Sequence, residues 1–161
     1  MKRVFLIAAV VLLACSMAQA EIYNYHFFLD GVQADATRVP QSPGTGEGHV
    51  TYNSVTNQIQ WNVTYQNLLG SITNAHFHGP AAPGVDAAVV IPHQGLASPQ
   101  TGTATLTETQ EGQLIGGLWY WNIHTSFDGS GEIRGQVVPE PTTITLLACT
   151  AMGLVMRRRK I

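Results

Sequence analysis

Between residues 58 and 65 apolar and polar side chains alternate without a break. Ile59, Trp61, Val63 and Tyr65 fall on one side, and Gln58, Gln60, Asn62 and Thr64 on the other. A period of two is the pattern of a strand with one buried face. The same kind of patterning, cut by Gly, Pro, Asn and Asp, predicts further strands at 22–29, 48–52, 72–78, 87–91, 101–107, 118–124 and 131–137. Asp30-Gly31 closes the first strand, and a loop with Pro40, Pro43, Gly44 and Gly46 follows it. The polar run 53–57 reads as a hairpin turn, residues 79–84 as a Pro/Gly-rich loop, and Asp128-Gly129-Ser130-Gly131 as the turn of a last hairpin-like pair. No stretch of the domain has helical periodicity, and the strand at 101–107 leads into 114–117. Seven to eight short strands in about 118 residues predict an all-β fold, an antiparallel two-sheet β-sandwich with Greek-key connections.

The two ends break this pattern. Residues 1–20 open with Lys2 and Arg3, continue through an apolar run from Val4 to Ala14, and end on Ala18-Gln19-Ala20. That is the layout of a signal peptide cleaved after Ala20 by signal peptidase, with Ala18 and Ala20 as the small residues the peptidase needs. Cys15 offers a competing lipoprotein reading, which the bulky Leu13 fits poorly. At the other end, Pro139-Glu140-Pro141 precedes an apolar segment of about 15 residues and the cluster Arg157-Arg158-Arg159-Lys160. The segment is shorter than the roughly 20 residues of an ordinary membrane span. It predicts a short transmembrane helix, with the basic tail cytoplasmic and residues 21–138 outside. The tripeptide, the short span and the Arg cluster together resemble a PEP-CTERM sorting signal. The resemblance implies processing by an exosortase-type enzyme, transient anchoring in the membrane, and delivery to the cell surface or the extracellular matrix.

Setting the ends aside changes the charge. Arg38 and Arg134 are the only basic residues between 21 and 138, against nine acids, so the exported domain carries −7 although the whole chain carries −2. This excludes nucleic acid as a partner on electrostatic grounds and favours cations. The two cysteines, Cys15 and Cys149, both lie in the end segments, so residues 21–138 fold without a disulfide.

Four short motifs stand in order along the domain. Leu29-Asp30-Gly31 leads to Gly46–Val50; then come Ala75-His76-Phe77-His78-Gly79-Pro80-Ala81, Asn122-Ile123-His124-Thr125, and Gly131-Glu132-Ile133-Arg134-Gly135-Gln136. In that register they resemble a CHRD domain over nearly all of 28–138. The family usually carries Ile or Val where Phe77 stands. The resemblance implies an antiparallel β-sandwich in an extracellular setting and brings no activity with it.

Candidate chemistry rests on the histidines. His76 and His78 share a strand face by alternation, as do Asn122 and His124 on a later strand. Were those faces to meet, His76, His78 and His124 would form a site for Cu or Zn, with His93 from a nearby loop as a fourth ligand. This histidine pattern is similar to the copper side of Cu/Zn superoxide dismutases. The zinc loop, disulfide and active-site arginine of those enzymes have no evident counterparts, so dismutase activity is not implied. The alternative is structural: neutral imidazoles tie strands and loops together by hydrogen bonds, with Asn122 and Thr125 as partners. Glu132 and Arg134, two apart on one face, read as an ion pair or as backbone ligands. His26 and His49 read as isolated surface residues. Trp61, Trp119 and Trp121 read as core, or as a carbohydrate platform if two of them are exposed. No nucleophile or paired acids stand at a catalytic spacing. The sequence therefore points first to a non-enzymatic exported module that binds a partner, such as extracellular polysaccharide, or builds structure. The alternative is a copper- or zinc-binding protein, redox-active in one version.

Overall fold

The computed structural model describes residues 21–93 and 95–140. The predicted signal peptide, with Ala18 and Ala20, lies outside the described residues, as do Pro141, the apolar span and Arg157 to Arg159. Among the described residues no helix is long and apolar enough to cross a membrane.

Among the described residues eight strands carry the fold: β1 (Ile22–Asp30), β2 (Thr45–Asn53), β3 (Gln58–Gln66), β4 (Ile72–His78), β5 (Val89–His93), β6 (Gln100–Thr105), β7 (Trp119–Thr125) and β8 (Ile133–Val137). The expectation of two separate sheets is corrected. The strands form one antiparallel sheet in the order β5-β4-β7-β8-β1-β2-β3-β6, rolled until it nearly closes. The physical reason is β1, which pairs along its full length with β2 and also with β8 at Asp30↔Arg134. A bridge from Tyr25 to Pro139 continues that second seam. The chain thus leaves the sheet with the first two residues of the Pro139-Glu140-Pro141 motif still held, the Glu140 N–H donating to the Asn24 carbonyl.

The rolled sheet encloses one core. Tyr25, Leu29, Tyr52, Ile59, Val63, Phe77, Trp119, Trp121, Ile123 and Ile133 are all at most 1% exposed. Across the centre the Trp61 indole meets the Phe77 ring edge-on at 5.4 Å, and Phe77 meets Trp121 at 4.6 Å. The alternation read in 58–65 holds, with Ile59, Trp61 and Val63 buried and Tyr65 half-buried. All three tryptophans are buried, which overturns the carbohydrate platform built on them.

Large rings fit inside because glycine sits opposite them on the neighbouring strand. Phe27 is paired with Gly48 and Trp61 with Gly102, and a Cβ on either glycine would overlap the ring. Gly102→Ala is therefore expected to overpack the core and cost about 1–3 kcal/mol, read as a lower urea midpoint with an unchanged slope.

Two short helices depart from the all-strand reading: α1 (Gly31–Ala34) and α2 (Glu108–Ile115). In α2 only Leu114 is buried, so its hydrophobic periodicity is faint. Its start was nonetheless written in the sequence as a capping box: the Thr107 side chain accepts from the Gln110 N–H, and the Gln110 side chain accepts from the Thr107 N–H. The fifth strand also lies two residues later than predicted. Ala87 is withdrawn from the ladder because its N–H donates to the Tyr120 hydroxyl and its carbonyl serves His78.

Candidate metal centre

The site lies on the face of the sheet opposite the core. β4 runs between β5 and β7, and its register sets His76 beside Asn122, His78 beside Tyr120 and Asn74 beside His124. Alternation then turns Phe77 inward and both histidines outward, onto the face shared by Tyr120, Asn122 and His124. On β8, Arg134 pairs with Asn122 and Gln136 with Tyr120, which extends the same polar face by one strand. The loop 79–88 covers it. Gln136 donates to the Ala81 carbonyl, Arg134 to the Ala82 carbonyl, and the Ala81 N–H to Leu118. His76 and His78 are consequently buried, each 7% exposed, and His124 is half-buried.

The three predicted ligands converge, with one ring nitrogen of each within 4.8 Å of the others. His76 Nδ1 stands 2.9 Å from His78 Nε2, and His78 Nε2 stands 3.3 Å from His124 Nε2. What matters is where the other nitrogens go. His78 Nδ1 lies 2.8 Å from the Ala87 carbonyl and His124 Nδ1 lies 2.9 Å from the Gly129 carbonyl. A carbonyl oxygen only accepts, so both Nδ1 atoms carry the proton and both Nε2 atoms present lone pairs. Two lone pairs facing at 3.3 Å make no hydrogen bond with each other. Without a metal, His76 Nδ1–H can supply one proton to His78, a proton that belongs on Nε2 when Nδ1 serves as a ligand, and Asn122 Nδ2 reaches His124 Nε2 only at 3.4 Å.

A second proton on His78 is opposed by its surroundings. Burial pushes the His78 imidazole below its ordinary pKa, and the neighbouring His124 and Arg134 push it the same way, against the Ala87 carbonyl and Asp86. Arg134 acts through a stack: its guanidinium sits 3.4 Å over the Tyr120 ring, which lies nearly parallel to His78 at 5.0 Å. Imidazoles such as His78 and His124, with Nδ1–H anchored to a carbonyl and Nε2 turned inward, are in the usual arrangement of histidines that hold a metal. The spacings agree. With metal–nitrogen bonds of about 2.0–2.1 Å, tetrahedral ligands stand about 3.3–3.4 Å apart and right-angled ones about 2.9 Å.

The other predicted residues take different places. The backbone of His93 pairs with Ala75 in β5, and its side chain lies outside the described part of the structure. Asn122 is bonded to the Ser130 carbonyl and borders His124, while Thr125 bonds not to a histidine but to Glu132. Of the two readings of Glu132 and Arg134, the ion pair does not form, while the bonds to neighbouring backbone do, to the Leu69 and Gly70 N–H groups and to the Ala82 carbonyl. Arg134 reaches Asp86 at 3.5 Å, and Glu132 accepts from Ser42, Leu69, Gly70 and Thr125. Gly131, at φ +139°, makes room for the Asn122 amide, which a Cβ there would strike.

Sequence reasoning missed Tyr120 and the carbonyls of Ala87 and Gly129. Tyr120 was legible, being two residues before Asn122 on the same face; the carbonyls were not, because every residue has one. His26 and His49, read as isolated, are cross-strand partners with stacked rings.

No curated protein and no solved structure matches the chain. The family model of the CHRD domain does, over residues 26–137, a span that takes in β2 through β8, all three histidines and the Glu132 network. With most of its length covered in this way, the chain belongs to the CHRD domain family.

Proposed function

We propose that this CHRD domain is an exported, non-enzymatic binding module whose ligand is a transition-metal ion, Cu or Zn, held by His76, His78 and His124. One observation carries the reading: His78 Nε2 and His124 Nε2 face each other at 3.3 Å while both Nδ1 protons are committed to carbonyls. That arrangement wants a cation at its centre. Only nitrogen donors are involved, which suits Cu and Zn better than Mg or Ca. The domain charge of −7 adds a general attraction for cations. Export rests on the residue pattern of the two ends, with signal peptidase acting at Ala18-Gln19-Ala20. An exosortase-type enzyme would then read Pro139-Glu140-Pro141 with the Arg157–Arg159 cluster at the membrane and release the domain to the cell surface or matrix.

The test of the metal reading is a calorimetric titration of the purified, untagged protein with Zn(II) and Cu(II). Submicromolar binding that disappears in His78→Ala supports it. Histidines that bind no metal, in a protein that His78→Ala merely destabilises, would make the cluster a structural network. Export has its own readout: N-terminal sequencing of the secreted protein should begin at Glu21.

A further inference from the structure

We infer that the domain carries a second, exposed metal site on the outer face of β1 and β2, made by His26, Glu47 and His49. The register pairs His26 directly with His49, and Glu47 lies on the same face, two residues before His49. The two imidazole rings are stacked, 4.5 Å apart and 3° from parallel. Both turn Nε2 toward the same carboxylate oxygen: His26 Nε2 is 2.6 Å and His49 Nε2 3.3 Å from Glu47 Oε1. One donor atom from each residue lies within 4.8 Å of the others.

Two imidazoles and a carboxylate gathered on one side of a point form a ligand set for divalent transition metals, with further coordination positions left open. Here those positions face solvent, since the side chains of His26, Glu47 and His49 are 34%, 46% and 62% exposed. The set is held from two sides. Phe28 packs its ring against His26 at 4.8 Å. The β1–β2 ladder fixes the spacing of the two backbones over nine residue pairs. In the next strands the row continues with Asn62 and Thr101, so no cation stands in line with the pair. A groove of about 340 Å³, lined by Phe28, Gly46, Glu47, Thr64 and Tyr65, opens beside the carboxylate and keeps it accessible.

This site differs from the first in donor set, exposure and strand pair, so neither depends on the other. Three nitrogens, two of them on buried side chains, favour tighter binding than two nitrogens and an exposed carboxylate, whose side chains must be ordered on binding. The untagged full-length protein should therefore take up two equivalents of Zn(II), the second at least 10-fold weaker than the first. His49→Ala and Glu47→Gln should each abolish the second equivalent and leave the first intact, while His78→Ala should do the reverse. Because His49 is largely exposed, its loss should leave the circular dichroism spectrum unchanged. Cu(II) electron paramagnetic resonance gives an independent readout, with coupling to two nitrogens for the second ion. Metal uptake that His49→Ala and Glu47→Gln both leave unchanged, whether it ends at one equivalent or at two, would overturn the assignment. Retention of the second equivalent in His78→Ala separates its fate from that of the buried centre.

Discussion

Glu132→Gln is expected to cost the domain about 3–5 kcal/mol of stability. The carboxylate is 2% exposed and receives four donors: Ser42 Oγ at 2.6 Å, the Leu69 N–H at 2.6 Å, the Gly70 N–H at 3.1 Å and Thr125 Oγ1 at 2.6 Å. These come from the loop before β2, the β3–β4 connection and the end of β7. One side chain therefore fastens three segments to the start of β8. Glutamine keeps the shape but removes the charge, and it turns an NH2 group toward at least one donor. A buried N–H facing an N–H leaves both without a partner, which is why the amide is costly where the carboxylate is stable.

The pH dependence follows with a definite sign. Burial raises the Glu132 pKa, but the bonds from Ser42, Thr125, Leu69 and Gly70 outweigh it, and the net shift is downward. A folded pKa below the unfolded value contributes stability above about pH 4.3 and loses it as pH falls through the folded pKa. Wild type should thus soften in acid more steeply than Glu132→Gln. Urea unfolding at pH 7 and in the acid range measures both effects. A loss below about 1 kcal/mol at pH 7 would mean that the network does not hold these segments together.

The second large effect concerns His78→Ala. Metal affinity should fall at least 100-fold, because His78 Nε2 is the nitrogen nearest both others. The stability of the metal-free protein should change far less, by about 1–2 kcal/mol. The substitution loses the bond to Ala87 and the stack on Tyr120, but it also removes the opposed lone pairs at 3.3 Å. Metal at 1,000 times its Kd should add about 4 kcal/mol to wild-type stability by linkage. A domain of this size should then melt on the order of 10–20 °C higher with metal than without, and the variant should show no such rise. Equal melting curves for wild type with and without Zn(II) would instead favour the structural role of the three histidines.

Several pieces of this picture were already legible in single stretches of chain. The alternation at 58–65 gave both the strand and its buried residues, since the period of a strand is a local property. The spacing of His76 and His78 placed them on one face for the same reason. The capping box at Thr107 and Gln110 also stands in the sequence, but the expectation of strands alone passed it over, because the apolar pattern beside it is too thin to show a helix. The pairing of His26 with His49 was not legible, because the offset between strands is set by loop lengths and by the fit of rings such as Phe27 over Gly48.

The sequence by itself determined the strand content, the inward and outward faces of β3, β4 and β7, and the family carried by its four ordered motifs. Each of these depends on residues close together in the chain, where backbone geometry alone fixes which side chains are neighbours. The tertiary structure decided the rest. It joined the strands into one rolled sheet through β1, set His124 against His76 and His78, and gave the Nδ1 protons of His78 and His124 to the Ala87 and Gly129 carbonyls. A site made of lone pairs is decided by where the last protons go. That depends on backbone groups brought up by distant loops, and residue identity does not encode it.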